Sequence, residues 1–240
     1  FRKEEGKHVI FLAPSLPEAK TRLPTMNIIL FILTVFSVML AGATPEGNPP
    51  AGQAEQMLWV LKSIFTGWPF ALSLLGILLA HEFGHYLMSR HHMTAATLPY
   101  FIPLPFSILG TMGAFIQLQA VPKNKRILFD IGVAGPLAGM VVAIPVLFFG
   151  LSLSELGPVL SSPGGFIEGN SLLYLISKFI VFGQWLPSPA GTSGLALLQH
   201  WIQYFFTGQP VPFGGTDVFI HPVAFAGWAG LLVTALNLIP

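Results

Sequence analysis

The sequence predicts an all-α polytopic membrane protein, with about four transmembrane helices plus a membrane-associated β-hairpin or re-entrant segment. The composition is the first reason. Of 240 residues, 53% are hydrophobic and only 9% are charged, where soluble domains carry roughly a quarter charged residues. So few charges cannot coat a water-exposed surface, and the mean hydropathy of +0.71 agrees. The second reason is four charge-free stretches of helical length. The third is the segregation of Lys and Arg to alternate connections between them.

The elements follow in chain order. Residues 1–22 hold Arg2, Lys3, Lys7, Lys20 and Arg22 and form a cytoplasmic N-terminal segment. Leu23 to Pro45 is the first span, and Gly42 and Pro45 end it. Ser63 to Ala80 is the second, extended by His81-Glu82-Phe83-Gly84-His85. Arg90, His91 and His92 follow it, and Lys123, Lys125 and Arg126 precede the third span, Ile131 to Leu153. The fourth is Pro222 to Pro240. With these clusters cytoplasmic, only Lys62 and Lys178 lie outside. The second and fourth spans then both run inward, which places the His-Glu motif toward the cytoplasmic end of a multi-pass protein.

Between the second and third spans, Met93 to Pro122 has no charge, yet Pro99, Pro103 and Pro105 forbid a continuous helix. Gly110 and Gly113 mark a turn, and Phe115 to Gln119 alternates with the period of a strand. This is the re-entrant loop or β-hairpin, tolerated at membrane depth only where protein or water satisfies its backbone. The region 155–217, rich in Gly, Pro and Ser, is expected to be an extracytoplasmic connection carrying two short interfacial helices, Leu172 to Phe182 and Leu195 to Phe206.

A net charge of +1 offers no field for nucleic acid, and the absence of cysteine excludes disulfides, thiolate metal sites and a cysteine nucleophile. Any metal must be held by His, Asp or Glu. His81-Glu82-Phe83-Gly84-His85 fits H-E-x-x-H. On a helix, residues four apart share a face, so both imidazoles reach one Zn²⁺, and Glu82 beside them takes a proton from zinc-bound water. Three fixed residues arise by chance on the order of once in a hundred chains of this length. Their position on an apolar helix sharpens the match, because each ionised group at mid-bilayer costs about 2.5–3.5 kcal/mol and needs a partner. A catalytic zinc usually has three protein ligands. Asp130 is the nearby acid, but its place at the start of the third span suits a helix N-terminal residue better. Asp217 and His221 fall at the outer end of the fourth span, at the wrong depth.

With these residues the chain resembles the site-2 proteases, membrane-embedded zinc metalloproteases of regulated intramembrane proteolysis, in their compact-core bacterial and chloroplast-like branch. The resemblance rests on His81 to His85, on the apolar Gly/Pro-rich stretch after it, on Phe129-Asp130-Ile131-Gly132-Val133-Ala134-Gly135-Pro136-Leu137-Ala138-Gly139, and on Asn237-Leu238-Ile239-Pro240, which is similar to the opening of an N-x-x-P-x-x-x-L-D-G motif. It implies a membrane protease core over 23–240, with His81 and His85 as zinc ligands and Glu82 as the general base. It further implies a hairpin around Gly110 to Val121 that presents substrate, and Asn237, with Gly110 and Gly113, helping to orient it. The substrate it implies is a transmembrane segment of another protein in the same lipid bilayer. The family's third ligand is the Asp beyond the motif's Pro, so the chain is expected to be truncated on its C-terminal side, with Leu-Asp-Gly following within about ten residues of Pro240. Two other readings compete: a catalytically inactive protease-like scaffold, and a membrane metal transporter, which would spread its ionisable groups along a pathway rather than gather them at one depth.

Overall fold

The computed structural model describes residues 2–4, 7–9, 24–158, 168–189, 191, 194–207 and 215–238. Lys20, Arg22 and the Ile239-Pro240 end of the last expected motif lie outside them. In order, the elements are strands β1 (Arg2–Glu4) and β2 (Lys7–Val9), helices α1 (Thr25–Ala41) and α2 (Gln53–Lys62), a 3-10 turn (Ile64–Gly67), α3 (Trp68–His91), strands β3 (Tyr100–Pro103) and β4 (Thr111–Phe115), α4 (Lys125–Ser152), β5 (Glu155–Pro158), α5 (Leu172–Phe182), α6 (Leu195–Thr207), β6 (Thr216–Phe219) and α7 (Pro222–Leu236). The chain is mostly helical, and among the described residues each of three sheets is a single antiparallel pair: β1-β2, β3-β4 and β5-β6.

Among the described residues, two segments are long and apolar enough to cross a membrane: Ile64–His91 and Lys125–Ser152, each 28 residues. The expected first and fourth spans are shorter helices. The 17 residues of α1 and 15 of α7 reach about 25 Å and about 22 Å at 1.5 Å per residue, against a hydrocarbon core of about 30 Å. The third span begins earlier than expected, because the Asn124 side chain accepts from Ile127 N at 2.8 Å and caps a helix that includes Lys125, Arg126 and Asp130. Asp130 is therefore one turn inside α4 and not a helix-start acid. Pro136 and Pro145 lie within α4; neighbouring helices make such prolines tolerable in membrane helices.

Helices α3, α4 and α7 pack as a three-helix core. Their contacts are made where one helix carries Gly or Ala. A Cβ on Gly84 would meet the Ala134 carbonyl oxygen at 2.5 Å, one on Gly227 would meet the Leu147 backbone at 2.7 Å, and one on Gly230 would meet Ile77 at 2.7 Å. In hydrocarbon, apolar burial drives helices together weakly, and close van der Waals packing of small residues does more. These pairings also fix direction: α4 runs antiparallel to α3, whereas α7 runs parallel to α3, the relative course the sequence predicted for the second and last spans.

The hairpin exists, but its strands lie earlier than the alternation suggested. Tyr100 to Pro103 pairs with Thr111 to Phe115. Residues 115–119 continue only as an irregular ladder, with an Ala96–Leu118 bridge and Gln119 N donating to Ala95 O at 2.7 Å. Pro103 is tolerated because it ends its strand. The hairpin packs on two helices. Phe101 joins Leu74, Leu75 and Leu78 of α3 in one buried cluster, and Asn27 of α1 donates to the Leu98 and Pro99 carbonyls at 2.9 Å. Strands β5 and β6 form a stem that closes the region between α4 and α7 into one insertion, a pairing the sequence did not suggest.

Candidate metal centre

The motif lies two-thirds of the way along α3. His81 and Glu82 are buried, and His85 is half-buried. One turn apart, the two rings meet at 72° with their centroids 4.8 Å apart. Their Nε2 atoms converge to 3.1 Å. His85 Nδ1 is 2.7 Å from the Ile131 carbonyl oxygen of α4. A carbonyl only accepts, so Nδ1 carries the proton and Nε2 presents a lone pair toward His81. On the other ring, His81 Nδ1 is buried with no partner among the described residues.

Two glycines of α4 make room for these rings, at the same four-residue spacing as the histidines. A Cβ on Gly135 would overlap the His85 imidazole, and one on Gly139 would come within 3.2 Å of His81 Nδ1 and 2.5 Å of Thr234. The site is closed from a third side by α7, where the Asn237 amide lies 3.2 Å from His81 Nε2. Asn237 therefore lies beside the histidine pair.

The donor set fits a zinc ion in part. Two nitrogens on a tetrahedral zinc, each at about 2.05 Å, stand about 3.3 Å apart, close to the 3.1 Å seen here. Ile131 supplies the outer hydrogen bond that commonly fixes a metal-bound imidazole. Among the described residues no three His, Cys, Asp or Glu side chains gather to hold one ion, so a zinc ion here would need a donor beyond these two histidines. Asp130 does not join them: its carboxylate pairs with His92, at the C-terminal cap of α3, at 3.1 Å. Asp217 accepts from Lys178 at 3.2 Å, and the His221 ring caps α7 by accepting from Val223 N at 3.2 Å.

Gly110 and Gly113 both have left-handed backbone, at φ of 71° and 101°. Gly110 lies against α1, where a Cβ would meet Ser37 O at 2.5 Å and Val38, and its carbonyl accepts from the Ser37 hydroxyl. Gly113 sits inside β4 with open space around its Cα. The roles of Gly135 and Gly139 were not read from the sequence, although their spacing matched that of His81 and His85. The missing information was the register of α4 on α3. Lys178, placed on the outer side by its position in the sequence, is fully buried between Asp217 at 3.2 Å, Glu168 at 4.0 Å and the Tyr174 ring at 4.6 Å.

Residues 69–240 match the model of peptidase family M50. Among curated proteins, the chain is 30% identical over 232 residues to the probable zinc metalloprotease EGY1, chloroplastic, of Oryza sativa subsp. japonica, covering 90% of this chain and 35% of that protein. It is 30% identical over 229 residues to the EGY1 protein of the same description in Arabidopsis thaliana, covering 89% and 36%. It is also 30% identical over 217 residues to the probable zinc metalloprotease EGY2, chloroplastic, of Oryza sativa subsp. indica, covering 87% and 32%. The chain thus spans about a third of the length of these relatives. No solved structure matches.

Proposed function

The chain belongs to peptidase family M50, the site-2 protease family, and from that premise we propose that it carries the metal-binding half of a zinc-dependent intramembrane endopeptidase. The observation that supports this most directly is the convergence of His81 Nε2 and His85 Nε2 to 3.1 Å on a helix long enough to span a bilayer, with the His85 proton held on Nδ1 by Ile131.

In this reading His81 and His85 hold the ion, and the third ligand is an Asp beyond Pro240. A bound zinc would supply Lewis acidity, polarising a carbonyl and acidifying water. The chain's own residues do the rest. Glu82, buried and next in sequence to His81, takes the proton from the attacking water and delivers it to the leaving amide nitrogen. Asn237 orients the His81 ring or the substrate through its amide. Gly135 and Gly139 keep the imidazoles at their observed positions by leaving them space. The substrate is a transmembrane segment of another protein, locally unwound so that its carbonyls are free. Strand β4, packed near α3 one turn before the motif, offers an edge for such a chain to pair with, and Gly113 leaves its backbone approachable. The protein is multi-pass, with its N-terminus and the motif end of α3 on the cytoplasmic face.

The test is Glu82→Gln in the full-length protein, assayed beside wild type on a membrane-tethered reporter with zinc content measured in parallel. The expected result is loss of cleavage by at least about a hundredfold, as for removal of a general base, with zinc retained. Normal cleavage by the variant refutes the mechanism.

A further inference from the structure

We propose that α5 is a re-entrant half-membrane helix: its apolar side lies against bilayer hydrocarbon and its polar side is turned into the protein, so that residues 168–189 belong to the membrane domain rather than to an extramembrane connection. The inference rests on the membrane reading above and goes beyond it.

The polarity of α5 is inverted relative to a helix on a water-soluble surface. Leu172, Leu173, Ile176, Phe179 and Ile180 are exposed, on the i, i+1, i+4, i+7, i+8 stripe of one face. Ile176 is 50% and Ile180 62% exposed. The opposite face holds Tyr174, Ser177 and Lys178, all buried. A helix lying at a water interface turns its charge outward. This one buries its single charge, and the fold supplies the partners from elsewhere: Asp217 of β6 and Glu168, whose carboxylate also accepts from the Tyr174 hydroxyl at 2.7 Å. The Ser177 hydroxyl returns to its own helix, donating to Leu173 O at 2.8 Å. The outward face is left with no group that calls for water.

Depth gives the second argument. Tyr174 packs in one buried cluster with Leu147 and Leu151 of α4 and Ala224 of α7. Just before α5, Gly169 O accepts from Trp228 Nε1 at 2.9 Å. Trp228 lies nine residues before Asn237, so this contact sits about 14 Å along α7 from the imidazoles. Lys178 meets Asp217 in β6, next to the outer ends of α4 and α7. The helix therefore starts deep and rises outward. Its 11 residues span about 16 Å, close to half of a hydrocarbon core of about 30 Å. α4, the helix it packs against, also leaves the apolar Val141 and Phe149 exposed.

The absence of cysteine from the chain makes the test direct. Single cysteines are placed at Ile176, Ile180, Val141 and Glu155 in the full-length protein, with any cysteine elsewhere replaced, in permeabilised native-like membranes. A membrane-impermeant maleimide should modify Ile176→Cys and Ile180→Cys at least tenfold more slowly than Glu155→Cys, and as slowly as Val141→Cys. A bimane attached at 176 or 180 through a lipid-permeant reagent should be quenched by brominated phospholipid as strongly as one at 141. If 176 and 180 react within twofold of 155 while 141 stays protected, α5 faces water and the inference is wrong. If they are protected but unquenched, another protein surface, such as a second copy, covers them, and the inference is again wrong. Rapid labelling at 141 would instead overturn the membrane reading itself.

Discussion

Gly135→Ala isolates the geometry on which the site depends. The added methyl would occupy the place of the His85 imidazole. If the ring stays, overpacking costs about 1–3 kcal/mol. If it swings away, the bond from Nδ1 to Ile131 O is lost, at about 1 kcal/mol, and with it the convergence of the two Nε2 atoms. Alanine also favours the helix over glycine by about 1 kcal/mol. Global stability should therefore change by no more than about 2 kcal/mol, while zinc affinity falls. Disturbing the group that orients a ligand typically costs 10–100-fold in metal affinity, and replacing its room altogether should reach the upper end of that range. The assay is chelator competition for zinc on purified full-length protein in detergent or nanodiscs, with helix content followed by circular dichroism. Gly132→Ala is the control, since a Cβ there meets nothing within 4 Å; it should leave zinc binding unchanged. A Gly135→Ala protein that binds zinc within twofold of wild type would refute the claim that this helix contact positions the imidazole.

Two further outcomes follow from the charged side chains outside the motif. Lys178→Met leaves the half-buried Asp217 and Glu168 without their cation and should destabilise the fold by about 3 kcal/mol, read as a lowered midpoint of thermal or denaturant unfolding; adding Asp217→Asn and Glu168→Gln should recover most of that loss, and a triple variant no more stable than Lys178→Met would show that the cluster is not held by charge pairing. Asp130→Asn removes a partly exposed pair with His92 and should cost about 1 kcal/mol or less, with zinc affinity unchanged; loss of zinc on this substitution would place Asp130 among the ligands, against its observed pairing.

What the sequence revealed and what it hid divide along the range of the interactions involved. His81 and His85 were legible because a four-residue spacing on a helix is a local fact: no other part of the chain is needed to place two rings on one side. The same holds for α3 and α4 as long apolar helices, and for α5 and α6, whose boundaries nearly coincide with the expected ones. The hairpin was only half legible. Its proline and glycine pattern excluded a helix, but strand register depends on the partner, and the regular pairing falls on Tyr100 to Pro103, where Pro99 just before the strand and Pro103 at its end masked the strand signal. Asp130 read as an acid at a helix start, whereas α4 begins at Lys125 and carries it beside His92.

Lys178 shows why charge alone misleads in a chain of this kind. A lysine between apolar residues suggests a helix too polar for the membrane, since the charge is costly there when unpaired. Its cost is offset by Asp217, 39 residues later, and Glu168, ten residues earlier, and neither pairing leaves a trace in local periodicity. The same reasoning applies to the metal centre. The His-Glu-x-x-His motif names the candidate ligands, but what holds the two imidazoles is a carbonyl and two glycines on α4 and an amide at the end of α7. A helix that carries ionisable groups into hydrocarbon is stable only if other helices arrive in the correct register to satisfy them. In this protein the motif and its supporting contacts are therefore one structural requirement, distributed over three helices that the sequence presents separately.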